Sequence, residues 1–240
     1  MKLKTILLIL IIAIVTVFIS WKACYEDEFV VYKADLKKQD LKLYWKNEKR
    51  ENFGSIQNLK SWIENHDLTL EFAMNAGMYK TDHSPQGLYI ERGKTLSVLD
   101  TTKAAGNFYL KPNGVFFLKN NKTAEICTTE KFKNDKNIEY ATQSGPMLII
   151  DGKIHPDFKE GSSNLNIRNG VGILPDGKIV FVLSKNEVNF YDFASYFKSL
   201  GCKNALYLDG FVSRAYVPLK NWTQTDGNFG VLFAVTAKKK

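Results

Sequence analysis

Five turn signals punctuate residues 92–177, each flanked by short apolar runs: Arg92-Gly93, Pro112-Asn113-Gly114, Asn120-Asn121, Asp151-Gly152 and Pro175-Asp176-Gly177. Asn-Gly and Asp-Gly accept the positive φ angles that tight hairpins need. The runs between them, such as Val115-Phe116-Phe117-Leu118 and Met147-Leu148-Ile149-Ile150, are too short for helices and rich in residues that suit strands. A chain so punctuated is constrained to fold as successive hairpins around a central sheet.

The flanking segments follow other periods. Tyr25 to Tyr32 is predicted as an edge strand, and Leu41, Leu43 and Trp45 alternate as on a half-buried strand. Ile56, Leu59 and Ile63 share one face of a predicted helix over 55–66, and a strand over 68–74 ends at Asn75-Ala76-Gly77. Lys178 to Leu183 reads as a strand. Phe190, Phe193, Phe197 and Leu200 mark a helix with Asn189 as N-cap and Gly201 as stop, and Ala205 to Leu208 reads as a buried strand. Strand, helix, strand predicts a βαβ unit with a parallel pair. The expectation is an α+β fold: one mixed-sheet domain over 24–240, with several β-hairpins and a C-terminal βαβ unit, preceded by an N-terminal hydrophobic helix.

That preceding segment reads as an address. Lys2 and Lys4 stand before an apolar run from Ile6 to Ile19 that only Thr16 interrupts, and Trp21 and Lys22 follow. A run apolar on every face has no amphipathic stripe to pack on a core. A positive start and this length fit a signal peptide or membrane anchor over 1–23, with residues 5–21 as the membrane partner. Trp21 suits the interface, and no small-x-small cleavage site follows, so an uncleaved anchor ranks before a cleaved signal. A lipoprotein at Cys24 ranks third, because Trp21 and Lys22 sit where small or aliphatic residues are needed. Each alternative places the remaining chain outside the cytoplasm, membrane-anchored if the segment stays and secreted or periplasmic if it is cleaved.

Charge and cysteine content exclude some classes. The chain of 240 residues carries a formal charge of +8, concentrated at Lys33 to Arg50 and Lys238 to Lys240. A solvated surface is the favoured explanation, with attraction to acidic membrane or wall polymers as the alternative. No basic run interleaves with aromatics as a nucleic-acid reader requires, so no nucleic-acid partner is expected. Cys24, Cys127 and Cys202 have no metal-ligand spacing, and buried free thiols are expected at Cys127 and Cys202. No metal site and no cofactor are expected.

Four polar signatures adjoin predicted strands: Asn75-Ala76-Gly77, Gln143-Ser144-Gly145-Pro146, Arg168-Asn169-Gly170 and Asp209-Gly210-Phe211-Val212-Ser213. Ligands of open α/β sheets gather at the carboxyl ends of strands. Asp209 with Gly210 could be a simple turn, but Phe211-Val212 starts no obvious return strand. Arg168 could be a surface arginine or a planar fork for phosphate. His66 and His155 read as ordinary turn or surface residues, and Asp82 and His83 as rim contacts at most.

Taken in order, these signatures resemble the bacterial phosphodiester glycosidase family. The resemblance rests on 75–79, Ser84-Pro85-Gln86-Gly87-Leu88-Tyr89, Lys111-Pro112-Asn113-Gly114-Val115-Phe116-Phe117, 141–148, 168–172 and 204–210, and it covers roughly residues 70 to 235. The family's larger branch shows Asp-Gly-Gly-Gly-Ser after the last of these strands. Here Phe211 and Val212 replace two glycines before Ser213, which points to a separate subgroup with a reshaped site.

The resemblance implies an extracytoplasmic hydrolase that cleaves a sugar-1-phosphodiester, in a glycan or envelope polymer, at the anomeric C–O bond. Bacterial members are described as exopolysaccharide-associated. Ordinary glycosidases use two carboxylates because an alkoxide must be protonated as it leaves. A phosphomonoester, with a second pKa of about 6, leaves as a stable anion. One carboxylate then suffices. Asp209 is assigned that role and Arg168 the stabilisation of the departing phosphate. Asn75, Gly77, Gln143, Ser144, Gly145, Gly210 and Ser213 are expected to bind substrate. Asp192 is a second carboxylate on the binding side, although its place at a helix start favours capping. A non-catalytic glycan-binding or polymer-assembly protein on the same fold is the alternative. A phosphodiesterase cutting the P–O bond would need a metal pair or a strong nucleophile.

Overall fold

The computed structural model describes residues 27–239, apart from the Phe211 side chain. The apolar run of 6–19 and Cys24 lie outside the described residues, and so does the expectation of an anchor or signal there. Among the described residues, no helix is long and apolar enough to cross a membrane.

Three antiparallel sheets form the body. The first contains β1 (Phe29–Ala34), β9 (Met147–Ile150), β10 (Lys153–Ile154), β11 (Asn169–Ile173), β12 (Ile179–Ser184) and β13 (Ala205–Tyr207), in the order β1-β12-β11-β13-β9-β10. The second contains β2 (Asp40–Tyr44), β3 (Leu68–Asn75), β14 (Ala215–Val217), β15 (Trp222–Thr223) and β16 (Leu232–Lys238), in the order β15-β14-β3-β16-β2. The third contains β4 (Tyr89–Glu91), β5 (Lys94–Ser97), β6 (Gly114–Lys119), β7 (Thr123–Thr128) and β8 (Ile138–Ser144), in the order β5-β4-β8-β6-β7.

Side-chain alternation explains how the sheets share one core. Phe116 and Leu118 of β6, Phe72 and Met74 of β3, and Phe181 and Leu183 of β12 point into a single central cluster. Their neighbours point outward, where each sheet is covered differently. Val180 and Val182 meet α2 (Phe190–Ser199) through Phe193 and Phe197. Ala73, and Leu70 beyond a register shift in β3, meet α1 (Ile56–Glu64) through Ile56, Leu59 and Ile63, all fully buried as their spacing predicts. Val115 and Phe117 are covered by loop residues that include Leu99 and Phe132. Caps fix both helices. Ser55 Oγ accepts from Asn58 N at 3.1 Å, Asn189 Oδ1 accepts from Asp192 N at 2.9 Å, and Gly201 ends α2 at φ +80°.

An α+β single domain is therefore observed, with two corrections of detail. The succession β12, α2, β13 exists, but the two strands are not a hydrogen-bonded parallel pair. Antiparallel β11 lies between them. In β11, Gly170 and Gly172 let Phe197 of α2 approach the strand, and a Cβ at either would press on that ring. The second correction concerns the turns. Four of the five signals join adjacent antiparallel strands, but Asn113-Gly114 begins β6 instead. Asn113 is buried and donates from Nδ2 to the Phe108 carbonyl at 2.9 Å, and a Cβ at Gly114 would collide with Met147. This glycine serves close packing, not a positive φ.

Candidate active site

The strand ends that carry the polar signatures meet in one region. Tyr207 N donates to the Pro146 carbonyl at 3.1 Å, which ties the end of β13 to the turn after β8. Leu208 N donates to the Asn169 carbonyl at 3.1 Å, so the start of β11 lies beside the same place. The β11–β13 register pairs Gly170 with Tyr207, and its continuation sets Arg168 opposite Asp209. Alternation then puts Arg168, Tyr207 and Asp209 on one side of the sheet and Asn169 on the other.

On the Asn169 side, an amide bracket holds the chain after Asp209. Asn75 Nδ2 donates to the Asp209 carbonyl at 2.9 Å. Asn75 Oδ1 accepts from Asn169 Nδ2 at 3.0 Å and from Arg214 N at 2.9 Å. Ser213 Oγ lies 3.2 Å from Asn169 Oδ1 and 3.1 Å from the Gly210 carbonyl. Asn75, Asn169 and Ser213 are all buried. Their polar atoms bond to one another and to backbone, so they fix how Asp209 is presented. From Asp209 the chain passes through a 3-10 turn at Gly210–Val212 and enters β14 of the second sheet.

Asp209 itself is half-buried. Two phenols lie within its electrostatic reach. Burial, and then the Asp209 charge, raise the Tyr79 phenol above its ordinary value. Tyr207 is pushed up to about 12 by burial, which the Arg168 charge opposes and Asp209 reinforces. Tyr79 also stacks on His83, with ring centres 5.3 Å apart, and His83 Nδ1 is buried with no hydrogen-bond partner among the described residues.

Arg168 is the main correction among the expected site residues. It is fully buried, not an open fork. Nε donates to the Val188 carbonyl at 2.7 Å, Nη2 to the Asn164 carbonyl at 2.8 Å, and Nη1 to the Tyr207 hydroxyl at 3.2 Å. Its plane lies 3.6 Å over the Phe190 ring, which continues a stack through Phe158 to His155. Burial lowers its pKa, and Tyr207 opposes that shift. With most donors closed on protein acceptors, Arg168 reaches the site as a charge acting through Tyr207.

Other expected residues divide in the same way. Gln143 is fully buried and saturated. Its Oε1 accepts from Leu88 N at 3.0 Å and Asp100 N at 2.9 Å, while Nε2 donates to the Asp100 carbonyl at 2.7 Å. Gly77 lies so close to β8 that a Cβ would strike Thr142 and the Gln143 carbonyl, and one at Gly145 would meet Asn113 and the Phe108 carbonyl. Gly210 leaves no room for a Cβ beside the Tyr207 hydroxyl. Asp192 completes the N-cap of α2, accepting from Asn189 Nδ2 at 2.7 Å. Ser144 differs, being fully buried with an Oγ that has no hydrogen-bond partner among the described residues.

Some residues with a place here escaped the sequence. Asn169 and Tyr207 stood inside recognised motifs as apparent strand residues. His155 is not on the surface: it is buried, its Nε2 has no partner among the described residues, and burial lowers its pKa. Val212 packs against the α1 cluster, so it does not fill the site. The expectation placed on Phe211 lies outside the described side chains. The two described cysteines are free. Cys202 is buried as expected, whereas Cys127 is only half-buried. Among the described residues no cluster of His, Cys, Asp and Glu has the makings of a metal site.

The architecture and the converging motifs define an α+β protein in which a half-buried carboxylate, Asp209, is held by its backbone on an amide bracket and lies within reach of two phenols. The phosphodiester glycosidase family model matches residues 69–235, and the chain belongs to that family. YigE of Escherichia coli K12, described as uncharacterized, is 39% identical over 187 residues, covering 78% of this chain and 73% of that protein. The catalytic domain of zebrafish N-acetylglucosamine-1-phosphodiester alpha-N-acetylglucosaminidase, auto-inhibited by its pro-peptide, shares the fold at a TM-score of 0.59 and 12% identity. That match covers 87% of this chain and 82% of the zebrafish chain. A hypothetical protein from Synechocystis matches at 0.53 and 12% identity, over 87% of this chain and 59% of its own.

Proposed function

We propose that this protein is a hydrolase of sugar-1-phosphodiesters, releasing a sugar and a phosphomonoester from a glycan or envelope polymer. The observation that carries the proposal is Asp209: a half-buried carboxylate whose backbone is clamped by Asn75 at the meeting point of the family's motifs. Water attacks the anomeric carbon as the C–O bond breaks, and the bonding pair leaves on the phosphomonoester oxygen. Asp209 stabilises positive charge developing on the sugar or takes the proton of the attacking water. The leaving phosphate needs no proton from a general acid. The Tyr207 phenol, kept protonated by burial, supplies a hydroxyl donor to the departing phosphate, whereas the Tyr79 hydroxyl is engaged with the Asn228 carbonyl at 2.6 Å. Arg168 holds the Tyr207 oxygen and adds a fixed positive charge behind it. Ser144, whose hydroxyl is unpaired within the described protein, is assigned to substrate.

Family membership and this geometry support the reading. The test is to incubate the full chain with a panel of sugar-1-phosphodiesters and follow release of phosphomonoester. Release by the native chain that disappears in Asp209→Asn is the expected result. Release that Asp209→Asn leaves unchanged would show that a different group carries the chemistry.

We place the domain outside the cytoplasm, on the strength of the apolar run behind Lys2 and Lys4. Protease added to sealed cells is expected to digest residues 25–240. Full protection with the run intact would overturn that placement.

A further inference from the structure

A concave surface lies at the other end of the sheets. It is a groove of about 860 Å³ between the β1–β2 turn, the β4–β5 turn, the β6–β7 turn and the start of β8. β8 connects the two places: Ile138 lines the groove and Ser144 stands in the candidate site, about 20 Å away at about 3.3 Å per residue. The groove is therefore separate from the candidate active site.

Its charge is one-sided. Seven of its lining residues are cationic and two are acidic. Lys42 is neutralised by Asp40 at 2.5 Å and Lys119 by Glu125 at 2.5 Å. Lys37, Lys38, Arg92, Lys122 and Lys136 are exposed and make no salt bridge among the described residues. They come from separate turns that the fold brings together. Placing like charges around one concavity costs self-repulsion, and it focuses a positive potential into the groove that draws anions.

We infer that this groove binds a polyanionic glycan, one whose repeats are joined by monoanionic phosphodiesters. That it takes a polyanion follows from the groove alone; that the anion is a phosphodiester glycan rests on the hydrolase reading above. Single-stranded nucleic acid is disfavoured because base stacking needs aromatic platforms, and the aromatic lining the groove, Tyr140, is buried. A bilayer surface is disfavoured because the cations surround a concavity and the exposed large apolar side chains lie elsewhere. Lysines dominate over arginines, which suits a flexible, hydrated chain of point charges better than a rigid bidentate anion. A polymer held here would remain tethered while another part of it enters the site at the far end of β8.

The test uses the full chain in a mild detergent and a fluorescent oligo(glycerol phosphate) as probe. Controls are a charge-matched oligothymidylate and anionic lipid vesicles. The native chain is expected to bind the probe with an affinity that falls steeply with salt, by a logarithmic slope of roughly 0.7 per phosphate engaged. The combined variant Lys38→Glu, Lys122→Glu and Lys136→Glu should bind at least about tenfold more weakly, with a flatter slope. Its hydrolysis of small sugar-1-phosphodiesters should match the native rate. Unchanged binding by the variant would overturn the inference, and so would oligothymidylate or vesicles binding as tightly as the probe. Absence of hydrolysis with charge-dependent probe binding intact would sink the hydrolase reading and leave only the groove's binding of polyanions standing.

Discussion

Gln143, near the end of β8, and Asp209, just beyond the end of β13, both close a strand in the same region, yet the fold uses them in opposite ways. Every polar atom of the Gln143 amide is bonded to protein, and the residue has no exposure. It pins the loop around Asp100 to the third sheet. Asp209 is half-exposed, and the amides beneath it grip its backbone carbonyl and leave the carboxylate to be presented. A polar residue in a motif can thus be needed for building the site or for acting in it. Burial with full hydrogen bonding marks the first kind, and Asn75, Asn169 and Arg168 fall with Gln143. Ser144 is set apart from them by an Oγ that has no hydrogen-bond partner among the described residues.

The largest expected effect tests the acting side. Asp209→Asn keeps the volume and removes the charge, so turnover of a sugar-1-phosphodiester should fall on the order of a thousandfold. The melting temperature should stay close to native, since the bracket grips the Asp209 backbone carbonyl, which the substitution leaves in place. A similar fall in melting temperature and in turnover would move Asp209 to the building side and break the comparison.

Arg168→Met should do the reverse. It strands the Val188 and Asn164 carbonyls and the Tyr207 hydroxyl in a buried setting, at about 1–3 kcal/mol for each group left unpaired. A loss of about 4 kcal/mol would lower the melting temperature by roughly 8–16 °C in a domain of this size. Turnover should fall with the folded fraction on phosphodiesters and on activated aryl glycosides alike, with any further loss acting through Tyr207, which the guanidinium holds. A loss confined to phosphodiesters would restore direct phosphate contact.

Gln143→Leu should lower stability by roughly 2–3 kcal/mol. Its distinctive signature is local: amide exchange at Leu88 and Asp100, which lose their acceptor, should accelerate ahead of global unfolding. Uniform acceleration along the chain would mean that the amide supports the whole core and not one loop.

The sequence carried much of this frame and missed identifiable parts. Turn signals and apolar periods located both helices, the caps of the second, and most of the hairpins, because those signals are local. The insertion of β11 between β12 and β13 was hidden, since pairing of distant strands leaves no local trace. Gly170 and Gly172 recorded it only as small residues under Phe197. The convergence of Asn75, Arg168 and Asp209 was legible from motif order, but which of them faces solvent was not. An arginine after a polar loop looks the same whether it is exposed or laid on Phe190, and only the packing decides. His155 was misjudged for the same reason, its burial depending on Phe158 from its own turn and Phe190 from α2.

The smallest expected effect on stability is the sharpest test of the saturation criterion. Ser144 is as buried as Gln143 and lies next to it in β8, so burial alone predicts that the two are equivalent. Their hydrogen bonding predicts otherwise. Removing the Ser144 hydroxyl breaks no bond to described protein atoms, so Ser144→Ala should alter stability by less than about 1 kcal/mol, and removal of an unpaired polar atom could raise it. If the hydroxyl is kept for substrate, the same variant should weaken substrate use by roughly tenfold, the scale of one lost hydrogen bond to a charged group. A rise in KM at constant kcat would place that bond in both the ground and transition states. A fall in kcat would place it on the charge that develops during the reaction. A stability loss as large as that of Gln143→Leu, with turnover intact, would return Ser144 to the scaffold.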